Sequence, residues 1–191
     1  DGDGDRVGVI SPKGDVIWAD RIMTLFSQDI LSRHPNAQII YDVKCSRHLG
    51  KAIEQAGGQP LMWKTGHSLI KSKMKETGAL LAGEMSGHIF FKHRWYGFDD
   101  AIYSGARLLE ILAAGRRPMS AHFKNIPVLP ITPELEYDCE DDRKFDVIAE
   151  ARDYFKKDLG LDVVTIDGAR IEFPDGWGLL RASNTSPKLV V

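Results

Sequence analysis

Apolar residues recur along this chain in two rhythms, one of period two and one near 3.6, and the two alternate. Val7–Ile10 and Asp15–Trp18 are short apolar runs around Ser11-Pro12-Lys13-Gly14, which predicts a hairpin. Behind Asp20, a residue type suited to an N-cap, Ile22, Leu25, Phe26 and Ile30 return at helical spacing. Gln38–Val43 reads as a buried strand. Ser46 is placed to cap a helix carrying Leu49, Ala52, Ile53 and Ala56, which Gly57-Gly58 stops. Leu61–Trp63 predicts another strand and Ser68–Thr77 a short helix ending at Gly78. Leu80–Ala82 and Ile89–Phe91 are strands around a glycine-bearing loop. Asp99 is read as opening a long helix with Ile102, Ala106, Leu109 and Ala113 on one face, closed by Gly115. Strands and helices alternating at this spacing predict an α/β domain with a mainly parallel sheet.

The rhythm breaks between Pro118 and Pro133, where prolines cluster among apolar residues, and a domain boundary is expected near residue 126. Beyond it the pattern gives a strand near Leu135 and a helix carrying Phe145, Ile148, Arg152 and Phe155 that ends at Gly160. Strands follow at Val163–Ile166, Ile171–Phe173 and Leu179–Ala182. This order predicts a small α+β domain with an antiparallel sheet, and 191 residues are enough for two such cores.

Charge narrows the classes. Lys and Arg number 25 against 27 Asp and Glu, so the net charge of -2 lacks the basic excess of a nucleic-acid or membrane-surface protein. No apolar run approaches the roughly 18 residues of a membrane span, and no basic-then-apolar leader opens the chain. Cys45 and Cys139 lie far apart and form no CxxC pair, so neither a disulfide framework nor structural zinc is expected, and a cytoplasmic location fits. The chain opens without a methionine at Asp1 and ends on the apolar run Lys188-Leu189-Val190-Val191, which reads as a piece of a longer protein.

Four segments carry chemistry. Asp1, Asp3 and Asp5 alternate with glycines, a spacing that lets three carboxylates converge on one hard cation. An EF-hand is excluded, because Arg6 and Pro12 stand where that loop needs glycine and glutamate; an acidic surface turn is the alternative. Arg6 beside the carboxylates suits a site that also meets a phosphate. Lys64-Thr65-Gly66-His67-Ser68 joins a strand to a helix, so its amides can face an anion or ligand, although it lacks the P-loop pattern. Gly83-Glu84-Met85-Ser86-Gly87-His88 offers a carboxylate, a hydroxyl and an imidazole on one loop, a set suited to hydroxyl-rich ligands or simply to a polar turn. Arg181-Ala182-Ser183-Asn184-Thr185-Ser186-Pro187 has the composition of an anion cradle and equally that of a turn ended by proline. Lys44 follows a strand at the end where α/β sheets place ligands. His34, His93 and His122 read as surface or structural residues, and Asp138–Lys144 as a solvated loop and helix start.

Taken in order, Asp-Gly-Asp-Gly-Asp-Arg, Lys-Thr-Gly-His, Gly-Glu-Met-Ser-Gly-His and Arg-Ala-Ser-Asn-Thr resemble the α-D-phosphohexomutase family, and within it the phosphomannomutase/phosphoglucomutase branch, over essentially the whole chain. The resemblance implies residues 1–15 as the tail of the family's second domain, 16–126 as its third and 127–191 as most of its fourth. It implies magnesium on Asp1, Asp3 and Asp5, sugar recognition by Gly66, His67, Glu84 and Ser86, and a grip on the non-reacting phosphate by Arg181, Ser183, Asn184 and Thr185. Arg6, Lys44 and His88 would line the reaction centre, with His88 a candidate general base. The implied reaction moves a phosphoryl group between the 1- and 6-positions of glucose or mannose phosphate. It passes through a phosphoserine and a bisphosphorylated sugar, with glucose 1,6-bisphosphate as activator. The implied partners are a hexose phosphate and the N-terminal domains of the same enzyme, a monomer when intact. The family's Ser-His-Asn-Pro-like phosphoserine segment has no counterpart in this sequence, so the piece alone is expected to be inactive. Met85 favours this branch over phosphoglucosamine mutase; a non-catalytic sugar-phosphate-binding or calcium-binding module is the rival of another class.

Overall fold

Ile39 and Ile40 are neighbours on one strand, both fully buried, and they point into different cores. That alternation organises the N-terminal unit of the computed structural model, which describes residues 1–183 and 186–191. The chain divides into two units, Asp1–Val128 and Leu129–Val191.

In the first unit a short hairpin, β1 (Val9–Ile10) and β2 (Val16–Ile17), pairs Val9 with Ile17 and buries both. It leads into α1 (Ala19–Leu31), β3 (Gln38–Asp42), α2 (Arg47–Gln55), β4 (Gln59–Trp63), α3 (His67–Thr77), β5 (Leu81–Gly83), β6 (Ile89–Phe91), α4 (Ala101–Gly115) and α5 (Met119–Phe123). The sheet order is β4-β3-β5-β6, with β3 parallel to both β4 and β5, and β6 antiparallel at the edge. Ile39, Tyr41, Leu81, Ile89 and Phe91 pack with Ile22, Phe26, Ile30, Leu49 and Ile53 of α1 and α2. The alternate residues Ile40, Ala82 and Phe90 pack with Ile70 and Met74 of α3. A sheet covered on both faces explains why β3 reads as an almost unbroken apolar run.

The second unit holds β7 (Glu136–Asp138), α6 (Lys144–Asp153), β8 (Asp162–Val164), β9 (Ala169–Glu172), β10 (Trp177–Ala182) and β11 (Lys188–Val190). Its five strands run β7-β11-β10-β9-β8, every pairing antiparallel. The mainly parallel α/β unit followed by an antiparallel α+β unit is the architecture expected from the pattern. β11 and α5 were not expected, being hidden in a terminal apolar run and a proline-rich stretch. A π-helical turn, Tyr154–Asp158, continues α6.

Three local expectations are corrected. Asp20 does not cap α1. Trp18 holds the N-cap position, while Asp20 is buried in the first turn and accepts from the Ser46 amide at 3.2 Å. Asp100, not Asp99, caps α4, accepting from the Tyr103 amide at 2.8 Å. The periodic face of α4 points outward: Ile102 is 81% and Leu109 67% exposed, and Ala106 and Ala113 are exposed too. The inward face carries Ser104, Arg107 and Leu108. Arg107 takes that place because its buried guanidinium finds partners, pairing with Asp29 at 3.1 Å, donating to the His93 carbonyl at 3.2 Å and lying 4.7 Å over the Phe91 ring. Among the described residues no helix is long and apolar enough to cross a membrane.

The two readings of apolar residues predict different costs. Ile40→Ala, which empties space beneath α3, is expected to lower stability by about 2–5 kcal/mol. Ile102→Ser, on the exposed face, should change it by no more than ~0.5 kcal/mol. Urea melts of the 191-residue chain followed by circular dichroism compare the two.

Candidate active site

The strands β3, β4 and β5 run the same way, so their carboxyl ends deliver three loops to one edge of the sheet. The connection from β4 to β5 passes back across β3, which makes this edge a topological switch point, the usual ligand crevice of an open α/β sheet. Lys44 follows β3, Thr65, Gly66 and His67 follow β4, and Glu84 to His88 follow β5.

Two buried carboxylates tie these loops together. Asp42, at the end of β3 and fully buried, accepts from Cys45 Sγ at 3.1 Å, Thr65 Oγ1 at 3.1 Å and the Met85 amide at 3.2 Å. Glu84, 1% exposed, accepts from the Gly66 amide at 2.5 Å. Burial pushes both carboxyls above the ordinary range; the hydrogen bonds oppose the shift, and the Asp42 charge adds to that of Glu84. Ser86 and His67 are exposed on the same loops, and Lys44 is half-buried.

The aspartate loop is joined to the Glu84 loop by the backbone. Arg6 and His88 form an antiparallel bridge, the Val7 amide donates to the Gly87 carbonyl at 3.1 Å, and the first amide of α4, Ala101, donates to the Gly4 carbonyl at 2.9 Å. Gly87 is required here: its φ is +99°, and a Cβ would lie 2.9 Å from the Val7 carbonyl oxygen. Asp1, Asp3 and Asp5 each bring an oxygen within 4.8 Å of the others, and Asp5 Oδ1 is buried with no hydrogen bond. Three hard oxygen donors with one left unsatisfied fit a small divalent cation. Arg6 lies among them, its Nε 2.6 Å from Asp1 and 3.7 Å from Asp5.

Asp99, next to the α4 cap, completes the cluster. Its backbone bridges to Phe90. Its carboxylate accepts from Lys71 at 2.9 Å and lies 3.1 Å from His88 Nδ1 and 3.6 Å from His67 Nδ1. Burial would raise its pKa, but the Lys71 bond and the charges of Lys71 and His88 outweigh it and hold the carboxyl below its usual range. The His67 and His88 rings stack at 5.5 Å, and His88 Nδ1 is 3.8 Å from Asp5.

The family description phosphoglucomutase/phosphomannomutase, alpha/beta/alpha domain III, matches residues 18–128, and the C-terminal domain of the same family matches 134–191. The chain belongs to the phosphoglucomutase/phosphomannomutase family. It is 58% identical, over its whole length, to a phosphomannomutase/phosphoglucomutase of Pseudomonas putida, covering 41% of that protein. It is 53% identical to a phosphoglucomutase of Neisseria gonorrhoeae, covering 42%. A crystal structure of a phosphoglucomutase/phosphomannomutase family protein from Burkholderia thailandensis matches with a TM-score of 0.88 at 54% identity, over 99% of this chain and 40% of that one. The chain thus spans about two fifths of the length of the relatives it matches.

In the second unit, the segment expected to cradle an anion begins at Arg181, in the last two residues of β10. Arg181, 8% exposed at its side chain, pairs with Asp167 at 3.0 Å, and its Nε is buried without a hydrogen bond. Ser183 Oγ accepts from the amide and hydroxyl of Ser186, at 3.2 and 2.8 Å. Asn184 and Thr185 lie outside the described residues. Lys144, expected in a solvated helix start, is buried and donates to the Ser183 and Ser186 carbonyls at 2.8 and 3.2 Å. Asp42, Asp99 and Lys144 were therefore missed as site-shaping residues. Asp42 ends an otherwise apolar strand and Asp99 is the spare member of an acidic doublet, signals that sequence offers only faintly.

The raised carboxyl of Glu84 makes a signed prediction. A carboxyl whose folded pKa lies above its unfolded value contributes most to stability below the unfolded pKa, and that contribution is lost as pH rises through the folded pKa. Glu84→Gln should remove this decline, so from about pH 4 to pH 7 the variant gains stability relative to the parent chain. Urea melts at successive pH values measure the difference; a constant offset would contradict it.

Proposed function

We propose that this chain carries the metal, sugar and distal-phosphate loops of a phosphohexomutase that moves a phosphoryl group between the 1- and 6-hydroxyls of glucose or mannose phosphate. The observation that carries the reading is the Arg6–His88 bridge, which sets the three-aspartate loop against the loop of Glu84 and Ser86. The relatives at 53–58% identity bear phosphoglucomutase and phosphomannomutase names, which favours glucose and mannose over amino sugars.

In this reading Glu84 and Ser86 receive sugar hydroxyls, with His67 and the Gly66 segment at their side. Glu84 already spends one oxygen on the Gly66 amide, so its other oxygen is the acceptor aimed at the sugar. His88 is the general base. Its Nδ1 lies 3.1 Å from Asp99 and 3.8 Å from Asp5, two carboxylates beside the imidazole that would favour its taking up a proton. As that proton passes to His88, the sugar oxygen bonds to the phosphorus of a phosphoserine outside this chain. The serine oxygen leaves, giving a bisphosphorylated hexose that returns its other phosphate after reorienting. Magnesium on Asp1, Asp3 and Asp5 would neutralise charge on the transferring group. Arg6 and Lys44 supply fixed positive charge there, and Arg181 with Ser183, Asn184 and Thr185 holds the phosphate that is not reacting.

Three outcomes follow. The full-length enzyme should turn over glucose 1-phosphate and mannose 1-phosphate with specificity constants within about a thousandfold, ~4 kcal/mol, of each other. Asp3→Asn should lower its kcat at saturating magnesium by about a hundredfold or more, and turnover of neither sugar would refute the reading. The 191-residue chain alone, given glucose 1-phosphate, magnesium and catalytic glucose 1,6-bisphosphate, should show no turnover; robust activity would refute the phosphoserine route.

A further inference from the structure

Asp42 is a carboxylate with no place in the chemistry just described, yet it is fully buried where burial of charge is costly. Its donors come from three different loops. Cys45 Sγ belongs to the segment after β3 that bears Lys44, Thr65 Oγ1 to the one that bears Gly66 and His67, and the Met85 amide to the one that bears Glu84 and Ser86. The parallel pairing itself ends at Asp42, Trp63 and Gly83. A second strut, from the Gly66 amide to Glu84, joins two of the same loops through the residues next to Thr65 and Met85.

We propose that Asp42 is a positioning residue, whose acceptor oxygens set the register of the Lys44, Gly66–His67 and Glu84–Ser86 loops for a phosphorylated hexose. This rests on the reading of the site given above. The geometry says why an acceptor is needed. Cys45 and Met85 converge on Oδ1 and Thr65 reaches Oδ2. The Met85 N–H cannot reverse its role, whereas the Thr65 hydroxyl can turn and accept. Asparagine at this position therefore keeps the Oδ1 pair and lets Thr65 receive its amide. Leucine, of similar size, takes the acceptor from the Met85 amide and removes all three Asp42 struts, leaving the Gly66–Glu84 bond between two of the loops.

The test uses the full-length enzyme. Asp42→Leu should raise KM for glucose 1-phosphate by about tenfold or more, a change that loss of folded protein alone does not produce. Asp42→Asn should recover most of the loss. Amide hydrogen exchange should quicken in Asp42→Leu at 43–46, 64–67 and 84–87 while the strands stay protected. A folded Asp42→Leu with the parent KM, an Asp42→Asn as impaired as the leucine variant, or exchange quickened across the whole sheet would overturn the proposal. Should Asp42→Leu not fold, Thr65→Val removes one strut and should quicken exchange at 64–67, with Thr65→Ser restoring it; no change in Thr65→Val overturns the proposal equally. If the parent enzyme turns over neither hexose phosphate, the functional reading fails while the exchange experiment still decides the role of Asp42.

Discussion

Everything at the ligand edge depends on β3 pairing in parallel with both β4 and β5. Parallel neighbours end together, so three loops that are distant in sequence emerge side by side, and no antiparallel arrangement of the same strands would gather them. The pairing also buries β3 on both faces, with Ile39 and Ile40 serving different cores. The loops after β3 and β5 therefore leave from strands paired on both sides, and the loop after β4 from an edge strand paired with β3. Only a strand held so firmly can end in a buried carboxylate: Asp42 and Glu84 both sit at this edge, above their ordinary pKa ranges, with backbone and side-chain donors offsetting the cost of burial.

The fold was largely legible because its signals are local and strong. Ile39–Tyr41 form an apolar run at the centre of Gln38–Val43, and helical spacing in residues such as Ile22, Phe26 and Ile30 survives in the observed core. Where reading failed, a tertiary partner had outbid a local preference. Asp20 looks like a cap but is drawn into the first turn of α1 by the Ser46 amide. The apolar stripe of α4 is genuine, yet Asp29, the His93 carbonyl and the Phe91 ring turn Arg107 inward and leave Ile102 and Leu109 outside. No periodicity measure contains such partners.

Of the candidate site, the motif residues could be read from the sequence and the residues that hold their loops could not. Asp1, Asp3, Asp5, Arg6, Glu84 and His88 stand in short motifs whose chemistry is visible from composition. Their supports come from elsewhere: Asp42 reaches Met85 from 43 residues away, Lys144 reaches Ser183 from 39, and Asp99 lies beside His88 from 11. A supporting residue is defined by a distance in space, and an isolated acid or lysine in a sequence carries no mark of it.

The two kinds of loop in this chain are built on opposite electrostatic plans. At the sheet edge acids predominate: Asp1, Asp3, Asp5, Glu84 and Asp99 stand with the His67 and His88 imidazoles, Arg6 and Lys71, a field that favours a divalent cation and disfavours a bare phosphate. The C-terminal segment inverts this. Lys144 donates to the Ser183 and Ser186 carbonyls, and among the described residues Arg181 is buried against one acid, Asp167. The aspartate-rich edge is therefore suited to a cation, and the C-terminal segment, where a buried lysine and a buried arginine stand against few acids, to an anion.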